Sequence, residues 1–395
     1  MEFREVYLDT AATTYTSKGV VEKMLPYFNK EYGNPGSKYL LGRNAKRAVD
    51  NARAQVAKLI NAEPEQIIFT SGGSEANNLA LKYTKDIGTF VCSNVEHHSV
   101  FKYCNNFHKM LGTPMLNVNS QCVITEEEIA SKFKILDQRL SRTLVSTMYV
   151  NNETGAVNDI KMISRYCKEH KALLLVDCVQ ALSCVPVDVK ELECDFASFS
   201  SHKIHGPKGV GCLYIRDPEL LGYKFDSATD TEYMIDGGSA QEFGMRAGTE
   251  NVPGIVGFGE AARILYNERD TMLKNIKTSS EYFRKVLSEK LSPSRYRINC
   301  EEFNNDKTLS ITFFGVDSET LLMYLDTNGV YISAGSACTS HETIPSHVLK
   351  AIGLSDEEAF CTVRISFDWD YPSITSLDYA VDKIVEGVMM LNPGK

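Results

Sequence analysis

The chain has 395 residues, 43% of them hydrophobic and 24% charged, with a formal net charge of −9 at pH 7. That length permits a large buried core and commonly means two domains, no apolar run approaches the roughly 18 residues of a membrane span, and the acidic balance argues against nucleic acid as a primary partner. The opening Met1-Glu2-Phe3-Arg4-Glu5 lacks the order of a secretory signal, and 11 irregularly spaced cysteines without a CxxC pair predict a reducing, cytoplasmic setting.

In chain order, Val6-Tyr7-Leu8-Asp9 reads as a brief extended segment followed by loop, and the turn-rich Tyr32–Ser37 precedes a helical pattern through Ala45 to Ile60. Ile67–Thr70 reads as a strand, and Ser71-Gly72-Gly73-Ser74 as a turn opening a helix that continues from Asn77 to Tyr83. Two glycines let amide groups converge, and a helix start offers unpaired N–H groups, so this stretch predicts a phosphate cup. It has neither a Walker lysine nor the GxGxxG dinucleotide pattern. The strand Thr89–Ser93 leads to Glu96-His97-His98, where a histidine can lie against a cofactor ring, shuttle a proton, or be a plain polar loop residue. No histidine and cysteine spacing suggests a metal site.

The strand Thr143–Met148 closes on Asn151-Asn152-Glu153-Thr154-Gly155, and a helix from Ile160 to His170 feeds the strand Ala172–Asp177, with Gln180 just beyond. An acid at a strand's carboxyl end can hold a pyridine nitrogen protonated, which assigns that task to Asp177. The run Asp195–Ser200 then delivers Lys203 to another strand end. A lysine there is either a solvated surface residue or a nucleophilic amine of the kind that forms a Schiff base with pyridoxal phosphate (PLP). Gly209–Ile215 brings the chain back as a strand, and this βαβ rhythm predicts an α/β fold with a mostly parallel sheet.

After a glycine-rich loop over Asp236–Asn251 the texture changes to amphipathic helices from about Val256, including Tyr282–Lys290. A strand over Thr308–Phe314, helices over Ser318–Thr327 and Ser346–Ile352, and a strand over Val363–Phe367 follow. The predicted organisation is a large domain of residues 14–255 and a smaller α+β domain of residues 1–13 and 256–395. In the latter, Ser333-Ala334-Gly335-Ser336-Ala337-Cys338-Thr339-Ser340 sets a thiol among small polar residues, the opposite of a packing site. An unperturbed thiol pKa of about 8.5 leaves little thiolate at neutral pH, so a working Cys338 needs a local base or cation.

The ordered set Thr70-Ser71-Gly72, Asn151-Asn152-Glu153, Ser200-Ser201-His202-Lys203 and Gly335–Ser340 resembles the cysteine desulfurases related to NifS and IscS. These belong to the class V aminotransferase group of PLP enzymes with fold type I, and the likeness runs from Tyr7 nearly to the C-terminus. It implies a large domain with a mostly parallel seven-stranded sheet. It further implies PLP on Lys203 as a Schiff base, Asp177 at the pyridine nitrogen, His97 on the ring, and Asn152 and Gln180 at the cofactor hydroxyl. Gly73, Ser74, Ser200 and His202 match the phosphate cup. Thr249 matches a residue that reaches the phosphate from the second subunit of a homodimer. Arg364 matches the arginine for the substrate carboxylate, and Asn34 a residue near the substrate. The implied reaction converts L-cysteine to L-alanine, leaving a persulfide on Cys338 for an iron–sulfur scaffold or a tRNA-thiolation protein. Ser201 stands where the family has glycine, Gly238-Ser239-Ala240 replaces a glycine triplet, and Gly73-Ser74 replaces Ala-Thr; none of these removes a principal group. The enzymatic alternative is a selenocysteine lyase or other PLP-dependent β-lyase, and the non-enzymatic one a catalytically silent partner in sulfur transfer.

Overall fold

Short, largely apolar runs bounded by glycine and polar turns make the central strands, and because both faces are covered nearly every residue in them is buried rather than every second one. The computed structural model describes residues 5–137, 141–221, 241–335, 344–370 and 373–393. After β1 (Val6–Tyr7), the large sheet comprises β2 (Ile67–Thr70), β3 (Ile87–Cys92), β4 (Arg142–Met148), β5 (Leu173–Asp177), β6 (Phe196–Ser200) and β7 (Gly211–Ile215), in the spatial order β2-β7-β6-β5-β4-β3. Strands β3 to β6 run parallel, while β7 lies antiparallel to both β6 and β2.

The sheet therefore has six strands among the described residues, against the seven the resemblance implies. At the β3 edge the next segment makes only a single parallel bridge, Ser93 with Leu116, through Leu116 N donating to Cys92 O and Asn94 N donating to Leu116 O. Two residues earlier, where the next rung needs a donor, stands Pro114, which has no N–H to give.

The second sheet is antiparallel and is built from β8 (Tyr296–Asn299), β9 (Thr308–Phe313), β11 (Ser333–Ala334) and β12 (Thr362–Ser366), in the order β11-β12-β9-β8. β1 pairs in parallel with β10 (Val330–Tyr331), so the first described residues join the C-terminal part of the chain. Ser366 N donates to Leu8 O and Ala11 N to Ser366 Oγ, which fixes the Thr10–Thr14 loop over the edge of the large sheet.

One helix, Val252–Lys290, joins the two parts. The sequence suggests several helices here, yet no glycine or proline occurs after Gly259 in this span, so nothing interrupts its 39 residues, roughly 58 Å at 1.5 Å per residue. Ile255, Phe258 and Leu265 pack in the core of the large sheet, whereas Phe283, Val286 and Leu287 pack in that of the small one. Among the described residues no helix is long and apolar enough to cross a membrane.

Candidate active site

A cavity of about 280 Å³ opens at the carboxyl ends of β4, β5 and β6, where an open α/β sheet binds its ligands. It gathers Lys203, Asp177, His97, Asn152, Gln180, Arg364, Gly73, Ser74, Ser200 and His202, which are ten of the thirteen residues singled out from the sequence.

Lys203 follows β6 in a tight helical turn and is buried, its Nζ donating to Ala11 O at 2.6 Å and Ala12 O at 2.8 Å. Its pKa is drawn down to about 7, first by burial and then by the cations Arg364 and Lys307, against the pull of Asp9 and Asp177. An amine with a pKa near 7 is about half neutral at pH 7 and so is a competent nucleophile.

Asp177 ends β5 and is buried. Asn77 Nδ2 donates to its Oδ2 at 2.8 Å, and Val179 N donates to its Oδ1 at 3.0 Å, so the carboxylate has a fixed orientation. His97 caps the His98–Leu111 helix, its Nδ1 2.8 Å from Ser99 Oγ and accepting from Ser99 N at 3.2 Å. Burial, followed by smaller charge effects, leaves the His97 ring below its usual pKa and so neutral at pH 7. Gln180 Nε2 donates at 2.9 Å to Ala11 O, the carbonyl that also accepts from Lys203.

The cup forms where β2 meets the Gly73–Tyr83 helix. Gly72 adopts φ 156° and ψ −178°, a region open essentially only to glycine, and the helix start that follows, Gly73 and Ser74, lines the cavity together with Ser200 and His202. His202 is lowered to about 4 by burial and by the neighbouring lysines Lys203, Lys208 and Lys307, and its Nδ1 lies 3.1 Å from Thr13 Oγ1. Ser201 points elsewhere, since a Cβ placed on Gly206 would collide with its Oγ.

Arg364, on β12, crosses to the cavity from the small sheet. Its guanidinium donates to Asn152 O at 3.0 Å and to Asp9 Oδ1 at 2.8 Å, while its buried Nε has no partner. An unsatisfied guanidinium donor at a cavity wall suits an incoming carboxylate. A buried amine, an oriented acid, a glycine-rich helix start and a cavity-lining guanidinium together fit PLP carrying an amino acid.

Asn34 and Thr249 do not line the cavity. Asn34 is exposed, its Oδ1 accepting from Gly36 N in a turn, and Thr249 is exposed as well. Cys338 lies outside the described residues. Both described flanks of its segment reach the cavity wall: Ser333 pairs with Arg364 across β11 and β12, and Ser346 Oγ donates to Glu153 Oε2 at 2.6 Å beside the lining residue His347.

Sequence reasoning missed Asn77, Glu96, Asp9 and Lys307. Asn77 carries a usable signal, one helical turn beyond Ser74 and so on the same face. Glu96 is fully buried behind His97, accepting from Ser93 Oγ and from Met148 N at 2.9 Å. Lys307 is buried with its Nζ 2.6 Å from Ser183 Oγ, and nothing in its sequence neighbourhood announces that position.

The aminotransferase class-V family model matches residues 6–372. The cysteine desulfurase IscS of Dictyoglomus turgidum is 36% identical over 402 residues, spanning 99% of this chain and 97% of the relative. A solved NifS-like protein aligns with a TM-score of 0.83 at 33% identity, over 97% of this chain and 99% of its own. The apo structure of the cysteine desulfurase from Thermococcus onnurineus NA1 aligns with a TM-score of 0.80 at 25% identity, over 98% of this chain and 95% of its own.

Proposed function

Since this chain belongs to the aminotransferase class-V family and matches IscS-type cysteine desulfurases nearly end to end, we infer that it is a cysteine desulfurase. The observation that carries the site assignment is the convergence, in one cavity, of a buried near-neutral Lys203, an oriented Asp177 and an Arg364 with a free donor.

PLP, when bound, supplies an electron sink for the substrate's α-carbon. Lys203 would hold it covalently, and the same amine, when free, would move the substrate's α-proton. Asp177 would keep the ring nitrogen protonated, with His97 at the ring and Asn152 and Gln180 at the hydroxyl. Gly73, Ser74, Ser200 and His202 take the phosphate, joined by Thr249 from a second copy of the chain. Arg364 takes the substrate carboxylate, with Asn34 near the substrate. The Cys338 thiolate attacks the substrate sulfur; the new S–S bond forms as the Cβ–S bond breaks, leaving a persulfide on Cys338 and, after protonation at carbon, L-alanine. An iron–sulfur scaffold or a tRNA-thiolation protein then accepts that sulfur. A reducing cytoplasmic setting belongs to the same reading and is supported by ten described cysteines that are all buried and free.

Intact-mass analysis after incubation with L-cysteine tests this, with alanine quantified for the parent and a Cys338→Ala variant. One added sulfur on the parent, lost in the variant together with alanine turnover, is expected. Alanine release that survives the substitution would instead make the protein a general β-lyase.

A further inference from the structure

The two parts of the chain meet along a second seam, away from the cavity mouth. The segment after β8 docks on the turn that carries Asn152 and Glu153: Val157 N donates to Phe303 O at 2.9 Å, Asn305 N to Gly155 O at 3.1 Å, and Asn304 Nδ2 to Thr154 O at 2.9 Å. Two cysteines sit at the head of this seam, one from each side. Cys122 closes a turn in which its N–H donates to Asn119 O, and Cys300 immediately follows β8. Cys300 Sγ lies 3.6 Å from Ser120 O, two residues from Cys122, and both side chains are buried in one small apolar cluster with Val95 and Ala156.

Both cysteines adopt left-handed backbone, φ 61° at Cys122 and φ 57° at Cys300, where residues with a side chain are uncommon. The two thiols are neighbours in that cluster, close enough to bear on each other's titration, and Thr154 lies beside both. This proximity lowers the Cys300 thiol below its ordinary value, against the effect of burial, and raises Cys122. The described core thiols Cys167, Cys178, Cys194 and Cys212 are all raised, chiefly by burial. Cys300 is also next to the exposed Glu301 and Glu302, which places it nearer solvent than Cys122.

We propose that Cys122 and Cys300 are a redox-modification site, a dithiol that oxidises reversibly to a disulfide stapling the seam beneath the Asn152–Glu153 wall of the cavity. The oxidant is a low-molecular-weight disulfide. The Cys300 thiolate attacks one of its sulfurs, forming a mixed disulfide and releasing one thiolate. Cys122, losing its proton, attacks the Cys300 sulfur and releases the second. The protein gives up two electrons and two protons, and both protons end on the two small thiols. The step needs neither PLP nor Cys338, so it stands apart from the desulfuration reading.

The test uses Cys338→Ala holoprotein, in which the persulfide cysteine cannot react, equilibrated with oxidised and reduced glutathione at several ratios. Free thiols are then blocked with a maleimide, and the protein is unfolded, digested and mapped by mass spectrometry. The expected result is a peptide pair joined through Cys122 and Cys300, removed by a phosphine reductant. The linked protein should also show a rise of about 3 °C or more in Tm, because the bridge closes a very long loop. Cys300→Ser and Cys122→Ser in the same background should abolish both effects; the mapping of the Cys338→Ala protein decides the matter even where a serine variant folds poorly. Complete alkylation of both cysteines at every ratio, linkage to other cysteines instead, or a Tm unchanged on linkage would each overturn the proposal.

Discussion

Glu96 shows how one buried residue can make stability depend on pH. Burial, with a smaller contribution from Asp177, pushes its carboxyl up to about 8, against the opposing hydrogen bonds from Ser93 and Met148 N. Between the ordinary carboxylate range and pH 8 the native state therefore holds a proton that the unfolded chain has lost. The native state is favoured by this group at acid pH, and the advantage is lost as pH rises through about 8. Glu96→Gln keeps the acceptor for Met148 N and a neutral donor in the same volume but cannot titrate. Urea unfolding at pH 5, 7 and 9 should show the variant gaining on the parent as pH rises, by on the order of 1–3 kcal/mol at pH 9. A parallel pH dependence in the two proteins would mean that Glu96 is ionised in the fold.

Elements are held in register by groups that no local pattern reveals. Arg53, on the Leu40–Leu59 helix, meets Glu242 in a buried two-pronged pair at 2.7 and 2.8 Å, and Glu242 Oε2 also accepts from Phe69 N at 2.7 Å on β2. The guanidinium stands 4.7 Å from the Phe69 ring centroid and 5.0 Å from that of Phe243. Glu242→Ala leaves a buried, unpaired cation against the strand that feeds the phosphate cup, and should cost about 3–5 kcal/mol in urea unfolding. Arg53→Met in the same protein should recover much of that loss. Most strand cores and the Ser318–Thr327 helix were legible because apolar periodicity is local, whereas the several helices expected from about Val256 are the single helix Val252–Lys290. Lys203 and Asp177 were legible because strand ends collect chemistry. The Arg53–Glu242 pair, 189 residues apart, was not, since it exists only after folding. Lys307 and Asp9 escaped for the same reason: their position comes from the docking of the small sheet on the large one. The expected seventh strand was reduced to one bridge by the lack of a single donor at Pro114.

At the scale of the molecule, two residues proposed for the site lie outside the cavity of a single chain. Thr249 and Asn34, both assigned to the site, are exposed and away from the cavity. Asn34 lies within a stretch whose apolar side chains face outward: Leu25 is 55% exposed, Phe28 62%, Tyr32 67%, Tyr39 59% and Leu40 62%. A run of five such residues on one stretch is more than scattered surface hydrophobics, and its simplest cover is a second copy of the chain, which would also bring the partner's Thr249 to the phosphate cup. Phe28→Glu places a charge in the middle of that face without touching either core. Sedimentation should give a dimer for the parent and a shift toward monomer for the variant. The variant should also retain PLP less well in equilibrium dialysis, because its cup would then lack the partner's hydroxyl. A variant that stays dimeric would move the interface elsewhere, and a monomer that holds PLP as tightly as the parent would show that Thr249 contributes nothing across it.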